Sequence, residues 1–109
     1  TVKGYRQAMY SGLSTIRLAS VVGDIIEKFP RLTGLYQVAS APISKYHLLM
    51  LAIEAFNLDV KIEPDDAVVI NRVLNSSKFS AATGFVAPAW PVMIAELAAD
   101  ATPYGAWRT

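Results

Sequence analysis

Two arginines beside aromatic or apolar segments are the residues of this 109-residue chain whose chemistry best suits ligand binding. Arg6 lies between Tyr5 and Tyr10, and Arg72 lies in a polar stretch between two apolar segments. A guanidinium group is planar and suits bidentate contacts with phosphate, and an aromatic face can hold a base or a sugar. The alternative is that both are ordinary surface arginines.

The other side chains that could catalyse a reaction lack the partners that they would need. His47 is the only histidine and has no second ligand at metal-binding spacing. Asp65 and Asp66 are adjacent in a segment typical of a solvated turn, and Ser76 and Ser77 have no candidate base except His47. We therefore expect neither a catalytic residue nor a metal site in this chain.

Nicotinamide binding leaves signatures in a sequence that are missing from this chain. Its six glycines are scattered singly, so they form neither a Gly-x-Gly-x-x-Gly turn nor a phosphate loop. None of the tyrosines is followed four residues later by lysine. We expect this chain by itself to bind no cofactor.

Charge and hydropathy exclude several classes of partner. The net charge of +1 gives no electrostatic footprint for nucleic acid or for an anionic membrane. Cysteine is absent, which excludes disulfides and thiolate metal sites. The apolar runs are much shorter than the roughly 20 residues of a membrane helix. We expect a cytoplasmic protein that binds neither nucleic acid nor membranes.

The composition is unusually apolar for one small domain. Apolar residues make up 53% of the chain and charged residues 17%, whereas soluble domains average about 45–50% and 25%. A small domain cannot bury so much, so we expect part of this surface to face another domain or subunit. Because the chain begins at Thr1 and not at methionine, we also expect it to be a piece of a longer protein. The alternative is a well-packed small domain.

The first half of the chain predicts a helix, a strand and a second helix within a single domain of residues 1–109. Residues 1–13 are expected to be irregular or extended. Ser14 is the predicted N-cap of a helix over residues 15–28, and Leu35 to Val38 has the composition of a strand. Ser44 is the predicted N-cap of the second helix. The expected buried positions are Ile16, Ala19, Val22, Ile25, Ile26 and Phe29 in the first helix, and Leu48, Leu49, Ala52, Ile53 and Phe56 in the second.

The second half predicts shorter elements. Residues 59–62 alternate like a half-buried strand, residues 64–66 have turn chemistry, and residues 67–70 suit a brief strand or an extended docking segment. Asn75 or Ser76 should cap a short helix that ends before Gly84. A last helix is expected over residues 91–99, followed by a loose tail over residues 100–109. The predicted class is α/β, with about four helices and a few short strands.

Three segments together resemble the carboxy-terminal part of the extended short-chain dehydrogenase/reductases. They are Gly34-Leu-Tyr-Gln-Val-Ala-Ser-Ala-Pro-Ile-Ser-Lys-Tyr-His-Leu-Leu49, Asn71-Arg-Val-Leu-Asn-Ser-Ser-Lys-Phe79 and Pro88-Ala-Trp-Pro-Val-Met-Ile-Ala-Glu-Leu97. Their order and spacing are most similar to the dTDP-4-dehydrorhamnose reductase branch. The segment Met9-Tyr-Ser-Gly-Leu-Ser-Thr15 also resembles the stretch that precedes a helix in that branch. The resemblance covers about residues 4–98.

The resemblance implies a lobe that binds a nucleotide sugar. In such enzymes an amino-terminal Rossmann domain holds NAD(P) and carries catalysis, so that domain would be the main partner of this lobe. The full enzyme would reduce a dTDP-4-keto-6-deoxy sugar. Arg6-Gln-Ala-Met-Tyr10 matches an arginine and a final aromatic residue of a diphosphate-contacting segment in related epimerases. The expected substrate-binding residues are therefore Arg6, Tyr10 and Arg72, with Tyr5 as a further aromatic contact.

Other readings of the same scaffold stay open. The lobe could belong to a sugar-nucleotide epimerase or dehydratase. It could also be a non-catalytic interaction or regulatory module, or an independent small α/β binding domain. An isolated lobe could pair as a homodimer through the surface that the Rossmann domain would otherwise cover.

Overall fold

A three-stranded mixed sheet forms the centre of the chain, of which the computed structural model describes residues 1–107. Four α-helices accompany the sheet, of which α2 packs against the strands and α4 packs against α2, and a single 3-10 turn follows them. The predicted α/β class with about four helices is therefore confirmed. The elements are β1 (Val2–Tyr10), α1 (Thr15–Lys28), β2 (Ile43–Ser44), α2 (Lys45–Phe56), β3 (Ile62–Arg72), α3 (Ser77–Thr83), α4 (Trp90–Ala98) and the 3-10 turn (Tyr104–Trp107).

The first residues of the chain form the central strand of the sheet. β1 pairs with the short β2 in antiparallel orientation and with β3 in parallel orientation, so the strand order is β2-β1-β3. Parallel neighbours need a long crossover, and here it contains α1, β2 and α2. Residues 1–13 were expected to be irregular or extended, and residues 2–10 are extended as this regular strand, which has a partner on each side.

The predicted turn at residues 64–66 is wrong, because these residues lie within β3. Opposite β1, Asp65 pairs with Tyr5 and Val69 pairs with Gln7, so β3 accommodates two extra residues between these pairs. The Asp65 carboxylate accepts the backbone N–H of Ala67 at 2.8 Å, which is turn chemistry within a bulge. Short strands were predicted at residues 59–62 and 67–70 on either side of this turn. The structure has one strand instead, β3, which begins at Ile62.

The predicted strand over residues 35–38 is also wrong. Residues 35–42 form no strand, and the segment crosses the surface as a loop. The ring of Tyr36 packs edge-on against Phe79, with the centroids 6.0 Å apart. The backbone N–H of Ser40 binds the carbonyl oxygen of Ser11 at 2.7 Å. The segment has the composition of a strand but no neighbouring strand to pair with, and its Tyr36 ring packs against Phe79 instead.

Both predicted helix caps are confirmed. The Ser14 hydroxyl accepts the N–H of Arg17 at the start of α1, and the Ser44 hydroxyl accepts the N–H of His47 at the start of α2. The predicted buried face of α1 is partly wrong, because Val21 is buried whereas Val22 and Ile26 are exposed. The predicted face of α2 is only partly covered: Leu48, Leu49, Ala52 and Ile53 are half-buried, and Phe56 is exposed.

The carboxy-terminal helices follow the predictions closely. α3 begins after Ser76, where Asn75 accepts the backbone N–H of Ser77 at 2.8 Å, and it ends at Gly84 with a φ of 75°. α4 begins one residue before its predicted start at Pro91. The expected loose tail contains the 3-10 turn Tyr104–Trp107, and its residues Arg108 and Thr109 lie outside the described part of the chain.

The core is small and lies between α4 and the rest of the fold. Ile43, Trp90, Met93 and Ile94 form its buried cluster, and Met93 is fully buried. The indole N–H of Trp90 donates to the carbonyl oxygen of Ala41 at 2.8 Å, which ties α4 to the residues before β2. A buried indole with a satisfied donor is a strong anchor for so small a core.

The chain exposes far more surface than a free-standing domain of its mass. Its accessible surface is 7629 Å², against about 5,900 Å² expected for 11.8 kDa. Its Cα radius of gyration is 16.1 Å, against about 13 Å expected for this length. Large apolar side chains are exposed on α1, on β3 and in the loops. In residues 1–107 no helix combines the length and the apolar character needed to span a membrane.

Replacing Gly4 by alanine is expected to destabilise the fold by about 1–3 kcal/mol, because the site is overpacked. A Cβ atom at Gly4 would lie 2.5 Å from Cδ2 of Tyr46 and 2.6 Å from Cγ2 of Ile62. Gly105→Ala is the matched control, since a Cβ there meets no atom within 4 Å. Urea unfolding of both variants measures the difference. Equal stability of the two variants would contradict the packing described for β1.

Candidate functional site

A cavity of about 320 Å³ opens between the sheet and the start of α2. Two strands and one helix contribute to it, and its floor is mostly apolar. This volume lies at the lower end of the range for small-molecule sites, roughly 300–1,000 Å³. The lining residues are Tyr5, Ala8, Met9, Tyr10, Lys45, Leu48, Val68, Ile70 and Arg72.

Strand periodicity and register explain why these residues meet. Val68, Ile70 and Arg72 alternate along β3, so their side chains share one face of the sheet. In the neighbouring β1, Tyr10 is the register partner of Arg72. On the other side of β1, Ser44 of β2 pairs with Met9, and α2 starts at the next residue. Lys45 is therefore brought to the same end of the sheet as Tyr10 and Arg72.

The charged groups at this cavity are cations. The Lys45 ammonium group lies 4.6 Å from the centroid of the Tyr5 ring, at a distance typical of a cation–π contact. Within residues 1–107, the Arg72 guanidinium makes neither an ion pair nor a hydrogen bond, and none of the nine lining residues is acidic. Two cations beside two phenol rings and an apolar floor suit an anion that is joined to a planar or apolar group.

Tyr10 is held in place by contacts behind the cavity. Its ring lies 6.0 Å from the Trp90 ring, with an interplanar angle of 42°. Its hydroxyl lies against Gly12, where an added Cβ would be 1.8 Å from the Tyr10 oxygen. Trp90 belongs to the buried core, so the position of this cavity wall depends on the packing of α4.

Arg6 is the predicted site residue that the fold keeps apart from the others. It does not line the cavity. Its guanidinium binds the Asp66 carboxylate in bidentate fashion, with Nε–Oδ1 at 2.8 Å and Nη2–Oδ2 at 2.5 Å. The bulge in β3 brings Asp66 to this position. The hydrogen bond and the charge of Asp66 raise the pKa of Arg6, and the hydrogen bond from Arg6 lowers the pKa of Asp66.

Of the residues expected to bind substrate, Tyr5, Tyr10 and Arg72 are brought together and Arg6 is not. Lys45 was missed in the sequence, where it was considered only as part of a helix start. The sequence signal that could have identified Lys45 is its position directly after the N-cap Ser44. When a helix follows a strand without a loop, its first residue lies at the edge of the sheet, as Lys45 does after β2. Only the pairing of β2 with β1 identifies which edge.

In the part of the chain that the structure describes, the remaining candidates gain neither a second metal ligand nor a base that could activate a serine. Within residues 1–107, no group of three or more His, Cys, Asp or Glu residues is arranged to hold a metal ion. His47 is exposed on the first turn of α2, where its backbone N–H binds Ser44. Ser76 and Ser77 bind Ala39 and Asn75, respectively.

The Arg6–Asp66 pair is expected to give Asp66→Asn a pH-dependent effect on stability. The pKa of Asp66 is lowered in the folded state, so the pair contributes stability above the ordinary carboxyl pKa of about 3.9 and loses it as pH falls through the lowered value. Because the pair is exposed, the difference from the wild type should be small at about pH 7 and should be smaller still at about pH 2.

Urea unfolding at both pH values measures this difference. Asp59→Asn is the control, since Asp59 has no ion pair among the described residues. A loss of stability for Asp66→Asn that is the same at both pH values would show that the ion pair is not its cause.

The comparisons with known proteins leave the family open. No protein-family model matches the chain, and neither does any curated protein or solved structure. Assignment to a family therefore remains a hypothesis that rests on the sequence motifs themselves.

Proposed function

We propose that this domain binds a nucleotide sugar through the cavity between β1, β3 and α2. The observation that supports this most is the Arg72 guanidinium, which makes no ion pair within residues 1–107 and lines the same cavity as Lys45, where none of the lining residues is a carboxylate. Two cations supplied by different elements match the two charges of a diphosphate bridge. The faces of Tyr5 and Tyr10 would pack against the base or the sugar.

The size of the cavity suits a lobe that covers only part of its ligand. A volume of about 320 Å³ is small for a whole nucleotide sugar. The domain would hold the diphosphate and one flanking ring, and the rest of the ligand would face a second domain. The surplus of exposed surface supports this arrangement, since a second domain would cover part of it.

Cofactor binding and hydride transfer would belong to that second domain. A nicotinamide dinucleotide needs a glycine-rich turn between a strand and a helix. The glycines with positive φ in this domain are Gly34, in a loop, and Gly84, at the end of α3. The residues of this domain thus fit the substrate and not the cofactor. A Rossmann domain would supply NAD(P), the catalytic groups and the proton.

The reaction that fits the motifs best is reduction of a dTDP-4-keto-6-deoxy sugar. This choice rests on the order of the three segments that resemble the dTDP-4-dehydrorhamnose reductase branch. A sugar-nucleotide epimerase or dehydratase lobe would also bind the diphosphate, and it stays the alternative within the same superfamily.

A non-catalytic interaction module is the second candidate function. The exposed apolar side chains on α1 and β3 favour it, because such surfaces mark protein interfaces. A module of this kind has no need of a phosphate site. Ligand binding at Arg72 therefore separates the two functions.

Titration calorimetry with dTDP-glucose tests the proposal. We expect saturable binding of one ligand per chain, similar binding of dTDP and no binding of free glucose, because the diphosphate contributes most of the affinity. UDP-glucose measures the preference for the base. Binding should weaken as salt rises, since its main contacts are ionic. Absence of binding at roughly 1 mM ligand, or affinity independent of the diphosphate, would contradict the proposal.

A further inference from the structure

We infer that Gly12 is a positioning residue of the ligand cavity, because the space left by its missing side chain holds the Tyr10 ring in the cavity wall. Tyr10 lines the cavity together with Lys45 and Arg72, whereas Gly12 does not line it. The expected effect of Gly12 on ligand binding rests on the proposed function. The placement of the Tyr10 ring does not, and it can be measured in the free domain.

The Tyr10 ring occupies the space that a side chain at position 12 would need. A Cβ atom added at Gly12 would lie 1.8 Å from the Tyr10 hydroxyl oxygen, 2.1 Å from its Cζ and 2.8 Å from its Cε1. Favourable contacts between carbon atoms lie at roughly 3.5–4.0 Å. Any larger residue at position 12 is therefore incompatible with the observed position of the ring.

The backbone at position 12 gives no other reason for glycine. The described glycines with positive φ are Gly34 and Gly84, and Gly12 is not among them. Its backbone therefore does not need the left-handed region that favours glycine. Apart from its chain neighbours, the three atoms nearest to an added Cβ all belong to Tyr10. The requirement for glycine thus comes from the ring.

Hydrogen bonds hold the backbone around Gly12 from two directions. Ser40 donates its backbone N–H to the carbonyl oxygen of Ser11 at 2.7 Å and its hydroxyl to the carbonyl oxygen of Gly12 at 2.6 Å. The buried Ser11 hydroxyl accepts the backbone N–H of Leu74 at 2.8 Å. Because Tyr10 is 44% exposed and this backbone is tied on both sides, a methyl group at position 12 should displace the ring and not the backbone.

The position of this ring matters because Tyr10 and Arg72 are register partners at the last pair of β1 and β3. The ring lies against Gly12 and also contacts Trp90, with the centroids 6.0 Å apart. It is therefore placed beside the guanidinium before any ligand arrives. A side chain that is already fixed loses less conformational entropy on binding, which favours affinity.

Nuclear Overhauser contacts in the free domain test the placement of the ring. One Hα atom of Gly12 takes the direction of the missing Cβ, so we expect strong contacts between it and the Hε protons of Tyr10. Gly12→Ala should also shift the Trp90 indole N–H resonance, because the neighbouring ring moves. Absence of the Gly12–Tyr10 contact in the wild type would overturn the inference.

Calorimetry with dTDP-glucose tests the effect on binding. Gly12→Ala should weaken binding by roughly 3- to 10-fold, the size expected for one aromatic contact. Tyr10→Ala should lose a similar factor, and Tyr10→Ala combined with Gly12→Ala should lose no more than Tyr10→Ala alone. Gly23→Ala is the control and should bind like the wild type, because among the described residues a Cβ there meets no atom within 4 Å. Gly23 lies in α1, which borders a separate hollow of about 220 Å³ opposite Phe79.

The outcomes separate this inference from the proposed function. A wild type that shows the Gly12–Tyr10 contact but binds no dTDP-glucose would contradict the proposed function and leave the placement of the ring supported. A loss of affinity for Gly12→Ala that persists in full in the Tyr10→Ala background would overturn the inference, because Gly12 would then act without the ring.

Folding gives a further outcome in case the single variant is too unstable to study. If Gly12→Ala does not fold, its combination with Tyr10→Ala should fold, since the clash is then removed. A combined variant that stays unfolded while Tyr10→Ala folds would show that the added methyl group meets something other than Tyr10, and it would overturn the inference.

Discussion

Replacing Arg72 by alanine is expected to weaken dTDP-glucose binding by roughly 10- to 100-fold, which corresponds to about 1.5–3 kcal/mol for contacts with a charged group. The guanidinium is the only fork-shaped donor group among the residues that line the cavity. Within residues 1–107 it makes no ion pair that ligand binding would have to break. The loss should grow at low salt. Calorimetry of the folded variant measures it, and circular dichroism checks the fold.

Three matched variants separate this role from a general charge effect. Arg72→Lys should recover only part of the affinity, because lysine keeps the charge and loses the fork. Arg31→Ala should bind like the wild type, since Arg31 does not line the cavity. Arg6→Ala should lose less affinity than Arg72→Ala, because Arg6 is bound to Asp66. Equal losses of affinity for Arg31→Ala and Arg72→Ala would show that the loss comes from the change in net charge and not from a contact of Arg72 with the ligand.

Replacing Trp90 by alanine is expected to cost about 3–5 kcal/mol of the free energy of unfolding. Trp90 is only 7% exposed, and it contributes to the small core together with Ile43, Met93 and Ile94. The variant also loses the hydrogen bond to Ala41 and the ring contact with Tyr10. A domain of this size has about 5–15 kcal/mol in total, so much of its stability depends on one side chain.

The second tryptophan of the chain offers a control with the same substitution. Trp107 is 66% exposed, so Trp107→Ala should cost less than about 1 kcal/mol. Chemical unfolding monitored by far-ultraviolet circular dichroism avoids the loss of fluorescence that both variants share. If Trp107→Ala is as destabilising as Trp90→Ala, the core does not lie where α4 meets β2.

Local signals in the sequence were sufficient for the helices. Ser14 and Ser44 bind the first turns of α1 and α2 as predicted, because an N-cap interaction involves residues only three positions apart. Asn75 and Gly84 likewise delimit α3. Such contacts depend on neighbouring residues and not on the rest of the fold.

The sheet could not be predicted in this way, because pairing between strands is a long-range property. Nothing near Tyr5 shows that Asp65 will lie opposite it, sixty positions away. The Pro64-Asp-Asp segment does contain a turn-type hydrogen bond, but it lies within a bulge of β3 and does not end the strand. Conversely, residues 35–38 have strand composition and no available partner. The amino-acid composition of a segment indicates which secondary structures it can adopt. Pairing with a neighbouring strand determines whether it becomes part of a sheet.

The candidate site shows the same division. Arg72 and Tyr10 were identified by residue type, and the register of β1 and β3 brings them together. Lys45 requires knowledge of β2, a strand of two residues that has almost no sequence signal. Arg6 has the right chemistry, and the bulge directs Asp66 toward it. Residue types thus suggested the chemistry, and long-range pairing selected which residues share the cavity.

Mapping dTDP-glucose onto the domain by amide chemical shifts tests the central claim most directly. The account predicts shifts concentrated in three segments that are separate in sequence: residues 5–10, residues 44–48 and residues 68–72. These shifts should saturate together, and most of them should be lost in Arg72→Ala. Shifts confined to the hollow beside α1, or no shifts at roughly 1 mM ligand, would show that this cavity does not bind a nucleotide sugar.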